Sequence, residues 1–337
     1  MGSKSSILVV GAGFAGATAA RLLADAGHRV TVIDQRNHIG GNAYDYIDSK
    51  TGIAVHHYGP HIFHTSNRRV IDFLSRFTEW SFYEHRVYAQ LKNGQLVDFP
   101  VNQNTLKYVD EKDIIDIFYK PYSEKMWGEK FDSIDPETIK RVSARSDNED
   151  RYFPKDTFQY MPRQGFTAMF EKMLASPLIE VCLETSWSKA LEKSFDHCFS
   201  SMSIDQYHDY IHGRLPYRSI KFQSVRVPCN RVFSRSVINF TDQNAYTRVT
   251  EWRNFPNNPE TNTETILTFE LPCDFRENNH ERYYPIKNET NLELYRKYKN
   301  IETPNVSFIG RCGMYAYLNM DQAVSSTFSV VDNYLKN

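Results

Sequence analysis

Six residues near the start of the chain, Gly11-Ala12-Gly13-Phe14-Ala15-Gly16, constrain the fold more than any others. They spell G-x-G-x-x-G after an apolar run that begins at Ile7. An Ala- and Leu-rich stretch follows, and a second β-rich run closes on Asp34. Strand, glycine turn, helix and strand in that order predict a β-α-β unit that binds a dinucleotide. Gly11 allows the tight turn, Gly13 lets the backbone approach a pyrophosphate, and Gly16 lets helix and strand pack closely. The helix opening at Phe14 offers free N–H groups and partial positive charge to the phosphates. Asp34 falls where a carboxylate accepts hydrogen bonds from an adenosine ribose.

Past Asp34, the residues Gln35-Arg36-Asn37-His38-Ile39-Gly40-Gly41-Asn42 extend this cradle with more backbone N–H groups and one guanidinium. The second glycine pair favours FAD over a nicotinamide dinucleotide. His56, His57, His61 and His64 then crowd one short stretch. No run of Cys, Asp or Glu stands at ligand spacing beside them, so imidazoles that orient a ring system or fill a polar core are expected, and no metal. With 40 basic and 41 acidic side chains the net charge is −1. No global field draws nucleic acid or an anionic membrane, so any bound phosphate needs a local arginine cluster. Five cysteines without a C-x-x-C fit neither a disulfide framework nor that type of zinc site. No apolar run approaches a membrane span and there is no signal-peptide core, so a cytoplasmic protein is expected.

Alternation around Asn93-Gly94 predicts a hairpin within 87–101. Helical spacing over 110–127 predicts a helix broken at Pro121. Another helix is expected from Asp135, with Arg141 and Arg145 one turn apart on one face. Residues 146–162 lack periodicity and read as a loop, and 166–175 read as a short amphipathic helix. The region 217–275 is β-rich, with turn formers between its runs, which predicts an antiparallel sheet. A late strand ending in Gly310-Arg311 and a helix over 321–335 return to the first unit. The expected architecture is α/β: a discontinuous FAD-binding domain of 1–66, 163–204 and 304–337, a small helical domain of 103–162, and a twisted antiparallel sheet domain of 67–102 and 205–303.

Several separated stretches, among them IDQRNHIGGNAYDY, YGPHIFHTS, YSEKMWGEKF, IKRVSAR, VINFTDQNAYTRVTEW, RYYPI and IGRCGMYAYLNMDQA, occur in one order along the whole chain. In that ordered set the chain resembles the UDP-galactopyranose mutases, flavoenzymes that interconvert the six- and five-membered ring forms of a nucleotide-bound galactose. The resemblance implies that reduced FAD acts as a covalent catalyst, its N5 attacking the anomeric carbon and displacing the nucleoside diphosphate. It assigns Arg141 and Arg248 to the diphosphate, with Tyr152, Tyr284 and Tyr317 as neutral donors to the same phosphates. Tyr122 and Trp127 match the platform for the uracil ring, and His64 the histidine beside the flavin. Catalysis is thus expected of His64, Arg141, Arg248, Tyr284 and Tyr317. Arg218 and Arg311 match arginines that contact FAD. Gln35, Arg36, Gly41, Asn42, His61, Ile62, Asn319 and Met320 complete the cofactor set.

The implied partners are a UDP- or dTDP-hexose, a cellular flavin reductant and a second copy of the chain. Between Asn104 and Tyr122 the chain is shorter than the family's pattern, in the domain that shapes the nucleotide end and often the dimer contact. Base and assembly are therefore left open. Leu318-Asn319 stands where relatives usually have Tyr-Asp, and Asp321 where they often have His, which bears on the hexose accepted. Two alternatives stand beside this reading. One is the same chemistry on another donor, a UDP-N-acetylgalactosamine or a dTDP-deoxyhexose. The other is an FAD oxidoreductase of the amine oxidase or hydroxylase type, which accounts for the first glycine-rich unit but not for the arginine–tyrosine set.

Overall fold

The computed structural model describes residues 5–134, 144–259 and 263–336. Its first sheet is five-stranded and parallel, in the spatial order Ile179–Cys182, Arg29–Ile33, Ser6–Val10, His197–Ser200, Val306–Phe308. The central strand is covered on both faces, which is why it reads as an unbroken apolar run: Ile7, Leu8 and Val9 have no exposure. Helix α1 (Phe14–Asp25) packs on this sheet and against the C-terminal helix. Ala17, Ala19 and Ala20 are fully buried there, and such small side chains let the helix lie close to its neighbours. Strands from near residues 6, 180, 198 and 307 share this sheet, so the dinucleotide unit is assembled from separated parts of the chain.

The second sheet has seven strands, in the order Tyr284–Pro285, Tyr217–Val227, Thr265–Asp274, Arg248–Glu251, Val237–Phe240, Val87–Gln90, Leu96–Phe99. The Asn93-Gly94 hairpin is present, with Val87 opposite Phe99. The sheet departs from the antiparallel expectation at one junction. Val237–Phe240 runs parallel to Val87–Gln90, because the earlier hairpin docks on the edge of the later meander.

Two further expectations are corrected. Phe158–Pro162, read as loop, is a strand between Phe63–Thr65 and Trp80–Phe82. Its partners lie far away in sequence and it is only one short stretch long, so no local alternation betrays it; Phe158 packs edge-on against Trp80 and Phe63. The helix with a break at Pro121 is instead a 3-10 turn (Glu111–Asp113), a π turn (Ile115–Tyr119) and then helix α2 (Lys120–Trp127). Pro121 falls in the first turn of α2, where its missing N–H costs nothing. Gly128 ends α2 at φ +67. The helix expected from Asp135, and Arg141 with it, lies outside the described residues. Helix α3 (Phe166–Leu174) follows Gly165 as expected, with both Asp45 carboxylate oxygens accepting from the N–H groups of Phe166 and Thr167. The C-terminal helix α4 spans Met320–Lys336.

Candidate active site

The glycine turn forms as its pattern demands. Gly11 has φ +99, and a Cβ there would lie 2.1 Å from Ser201 Oγ. A Cβ on Gly16 would lie 1.7 Å from the Gly11 carbonyl oxygen, so the helix can approach the strand only without one. The second glycine pair closes on the first: Gly40 N–H donates to Ala12 O at 2.9 Å, and a Cβ on Gly41 would lie 2.9 Å from Gly13 Cα. Above this double loop opens a cleft of about 610 Å³. No side chain caps the N-terminus of α1, whose first turn lines that cleft, leaving N–H donors for an anion.

Asp34 anchors the cleft floor. Its Oδ2 accepts from Ala12 N–H at 2.8 Å and its Oδ1 from Arg36 N–H at 2.9 Å. Each oxygen keeps a lone pair, so ribose hydroxyls can still be accepted. Gln35, Asn42, His61, Leu318, Asn319 and Met320 line the cleft, whereas Ile62 packs in the core beneath it. Arg36 also lines it, but its guanidinium is ion-paired with Glu281, donates to Asn42 Oδ1 at 3.0 Å and covers the Tyr58 ring at 4.4 Å. Nothing in the local sequence pointed to Glu281 or Trp187, which reach this cleft from distant segments.

At one end of the cleft Arg311 donates to the carbonyls of Tyr283 (2.7 Å) and Leu318 (2.6 Å). Its guanidinium lies 4.9 Å from the Tyr284 ring centre and 5.4 Å from that of Tyr317. Those two rings meet edge to face at 5.0 Å, and Trp127 stands 6.3 and 6.1 Å from them. Arg248 comes next. Its Nη2 donates to Tyr122 Oη at 2.8 Å and its Nε lies 3.0 Å from Glu270 Oε2. Burial opposes the Arg248 charge, but Glu270 and the phenols of Tyr122, Tyr284 and Tyr152 outweigh it and hold the guanidinium charged. Burial raises Tyr122 and Tyr284 above the usual phenol value, so both stay protonated donors. Burial also raises Glu270, against the pull of Arg248. Sequence reasoning passed over Glu270; its signal was an acid set between Phe269 and Leu271 in the strand Thr265–Asp274.

The structure thus brings Arg248, Tyr122, Tyr152, Tyr284, Tyr317, Trp127 and Arg311 into one neighbourhood beside the dinucleotide cleft. Two assigned residues sit elsewhere in detail. His64 does not line the cleft; it pairs with Asp156 at 2.6 Å and stacks on Phe153 at 3.5 Å. Arg218 does not line it either, and donates to the C-terminal carbonyls of α2, Met126 O at 2.7 Å and Lys125 O at 3.2 Å. Arg145 donates to the carbonyls of Glu149, Arg151 and Tyr152. Of the histidines, His56 and His61 are buried, which lowers each to about 3 and keeps it neutral. Among the described residues no three His, Cys, Asp or Glu side chains gather as metal ligands, and no helix is long and apolar enough to cross a membrane.

Fold and site define a dinucleotide-binding enzyme of the flavoprotein type, with a half-buried arginine–tyrosine cluster beside its cofactor cleft. A family model described as an NAD(P)-binding Rossmann-like domain matches residues 9–77, and one described as UDP-galactopyranose mutase matches 117–317. The UDP-galactopyranose mutase of Mycoplasma genitalium is 34% identical, over 94% of this chain and 92% of the relative. The dTDP-fucopyranose mutase of Escherichia coli is 33% identical over 99% of each chain. The crystal structure of a reduced UDP-galactopyranose mutase superposes with a TM-score of 0.79 at 15% identity, covering 98% of this chain and 96% of that one. An L-amino-acid oxidase of Mus musculus matches only 29% of this chain. The chain belongs to the UDP-galactopyranose mutase family and is a nucleotide-sugar mutase, which sets the oxidoreductase alternative aside.

Proposed function

We propose that this chain interconverts the pyranose and furanose forms of a nucleotide-diphosphate hexose, UDP-galactose first, with reduced FAD as its cofactor and in the cytoplasm. The observation that carries this reading is the charged Arg248 set among neutral phenols beside Arg311, where the dinucleotide cleft ends. The cradle fits FAD: Gly11, Gly16 and Gly41 leave no room for a Cβ, and α1 presents uncapped N–H donors. Asp34, Gln35, Arg36 and Asn42 would hold the adenosine and pyrophosphate side, and His61, Arg311, Asn319 and Met320 the ring side. When bound and reduced, FAD would supply a nucleophilic ring nitrogen toward the anomeric carbon.

The chain's own residues then have three tasks. Arg248, with Arg141, neutralises the diphosphate and keeps it beside the sugar while the bond to the anomeric carbon is broken. Tyr152, Tyr284 and Tyr317 donate to phosphate oxygens without adding charge, and Tyr122 and Trp127 form the platform for the base. Packing of Tyr284, Tyr317 and Trp127 over the end of the cleft excludes water from the activated sugar. The reductant is a cellular electron donor, the assembly a homodimer, and the chain divides into the cofactor, helical and sheet domains expected from its sequence.

Dithionite-reduced enzyme, offered a panel of UDP- and dTDP-hexoses, tests this: one donor should isomerise without stoichiometric use of reductant. Turnover by the oxidised enzyme, or none with any donor, would sink it. The full-length likeness to a relative named dTDP-fucopyranose mutase favours a second donor class, a dTDP-6-deoxyhexose, which the same panel separates.

A further inference from the structure

Lys125 stands two residues before Trp127 and one turn after Tyr122 on α2. Its Nζ donates to three backbone carbonyls of one turn: Phe240 O at 3.1 Å, Asp242 O at 3.1 Å and Tyr246 O at 2.8 Å. The turn is curled to aim them at one point. Asn244 N–H donates to Asp242 Oδ1 at 3.2 Å, Tyr246 N–H to Asn244 Oδ1 at 2.8 Å, and Phe240 N–H to Thr247 O at 2.9 Å. The strand that begins where this turn ends opens with Arg248. One turn back along α2, Tyr122 accepts from Arg248 Nη2 at 2.8 Å. Helix, ammonium, turn, guanidinium and phenol therefore form a closed ring of contacts.

We propose that Lys125 is a positioning residue for the diphosphate pocket, its three-carbonyl ammonium clamp fixing Arg248 and Tyr122 in register. This rests on the proposed nucleotide-sugar site. Three acceptors need three N–H donors, which only the charged ammonium has. Burial lowers Lys125 to about 8, Asp242 pulling the other way, so the clamp loses a donor as pH rises past that value. Among the described residues the ammonium pairs with no carboxylate; Asp242 is the charged group that acts on it, and Arg218 meets only its backbone carbonyl. The linkage to global stability has the opposite sign. A lysine lowered in the fold binds fewer protons there than when unfolded between about 8 and its ordinary 10.5, so its own contribution rises with pH in that window. Alkaline loss of substrate affinity without a matching loss of thermal stability is the signature of the clamp.

The test compares FAD-loaded wild type with Lys125→Met and Lys125→Arg. In wild type, UDP affinity should fall with a midpoint near pH 8. In Lys125→Met it should be weaker by roughly tenfold at pH 7 and lack that limb. In Lys125→Arg, which stays charged, affinity should be largely rescued and the limb displaced upward. Flavin content and melting temperature report whether each variant folds, and the arginine variant carries the test should the methionine variant fail. Trp127 emission, followed over the same pH range without ligand, should change near pH 8 in wild type only. An unchanged alkaline limb in Lys125→Met, or wild-type affinity at pH 7, would overturn the proposal. Failure of wild type to bind UDP or dTDP, with the emission change present, would instead strike the substrate reading and leave the clamp standing.

Discussion

Glu270 holds Arg248 from behind, its Oε2 3.0 Å from the guanidinium Nε, while it is itself only 2% exposed. A buried acid and base so placed are costly to separate, because removing one strands the charge of the other. Arg248→Ala should therefore lower kcat/KM by at least about 2–3 kcal/mol of transition-state stabilisation. It should also lower the melting temperature, through Glu270. Arg248→Lys restores the charge but not the paired donors and should recover stability more than rate. Steady-state kinetics with thermal melts on both variants decides this; unchanged kcat/KM in the alanine variant removes Arg248 from the site.

The Gly16 position tolerates no methyl group. Gly16→Ala places a Cβ 1.7 Å from a backbone oxygen, so strand and helix must part and the phosphate cradle opens. The variant is expected to purify with little flavin and melt early. Gly27→Ala, whose Cβ would meet nothing, carries only the backbone penalty of its φ of +92 and should keep its flavin. Equal flavin content in the two proteins would contradict this account.

Acid should destabilise the fold through its buried imidazoles. His56, His61 and His85 are each lowered to about 3 by burial, from 6.5 in the unfolded chain. Between those values the unfolded state binds more protons. Stability is full above about pH 6.5 and falls toward pH 3, by up to about 1.4 kcal/mol per pH unit for each group. His56→Asn keeps an acceptor for His61 N–H while removing one titration, so denaturant melts from pH 7 to 4 should show a shallower slope in the variant. Parallel slopes would exclude His56 as a contributor.

Glu281→Gln breaks the ion pair with Arg36 that spans the cleft. Both groups are partly exposed, so the loss is modest, up to about 1 kcal/mol. FAD should dissociate a few-fold faster, with the melting temperature of the apoprotein little changed. A cofactor release rate equal to wild type would show that the pair does not retain it.

The glycine-rich unit was legible because its chemistry is local: turn, helix start and acid lie on one short stretch, and each glycine answers to an atom within a few ångströms. The hairpin at Asn93-Gly94 was legible for the same reason. What escaped is whatever depends on a distant partner. The strand Phe158–Pro162 exists only because 63–65 and 80–82 flank it, and the parallel docking of 237–240 on 87–90 has no signature in either run. In the site, resemblance supplied Arg248 and its tyrosines, while Glu270, Asp156 and Lys125 act through contacts invisible along the chain. Ordinary-looking charges in amphipathic or apolar runs proved to be the supports of the named residues.

The stretch 281–284 faces two compartments at once. Glu281 reaches Arg36 over the cofactor cleft, the Tyr283 carbonyl receives Arg311, and the Tyr284 ring stands with Trp127 and Tyr317. Neighbouring side chains along one run are thus divided between the cofactor cleft and the arginine–tyrosine cluster, as teeth of one key serve two wards. A single inserted or deleted residue here would move acid and phenol together, and both compartments would be disturbed in one step.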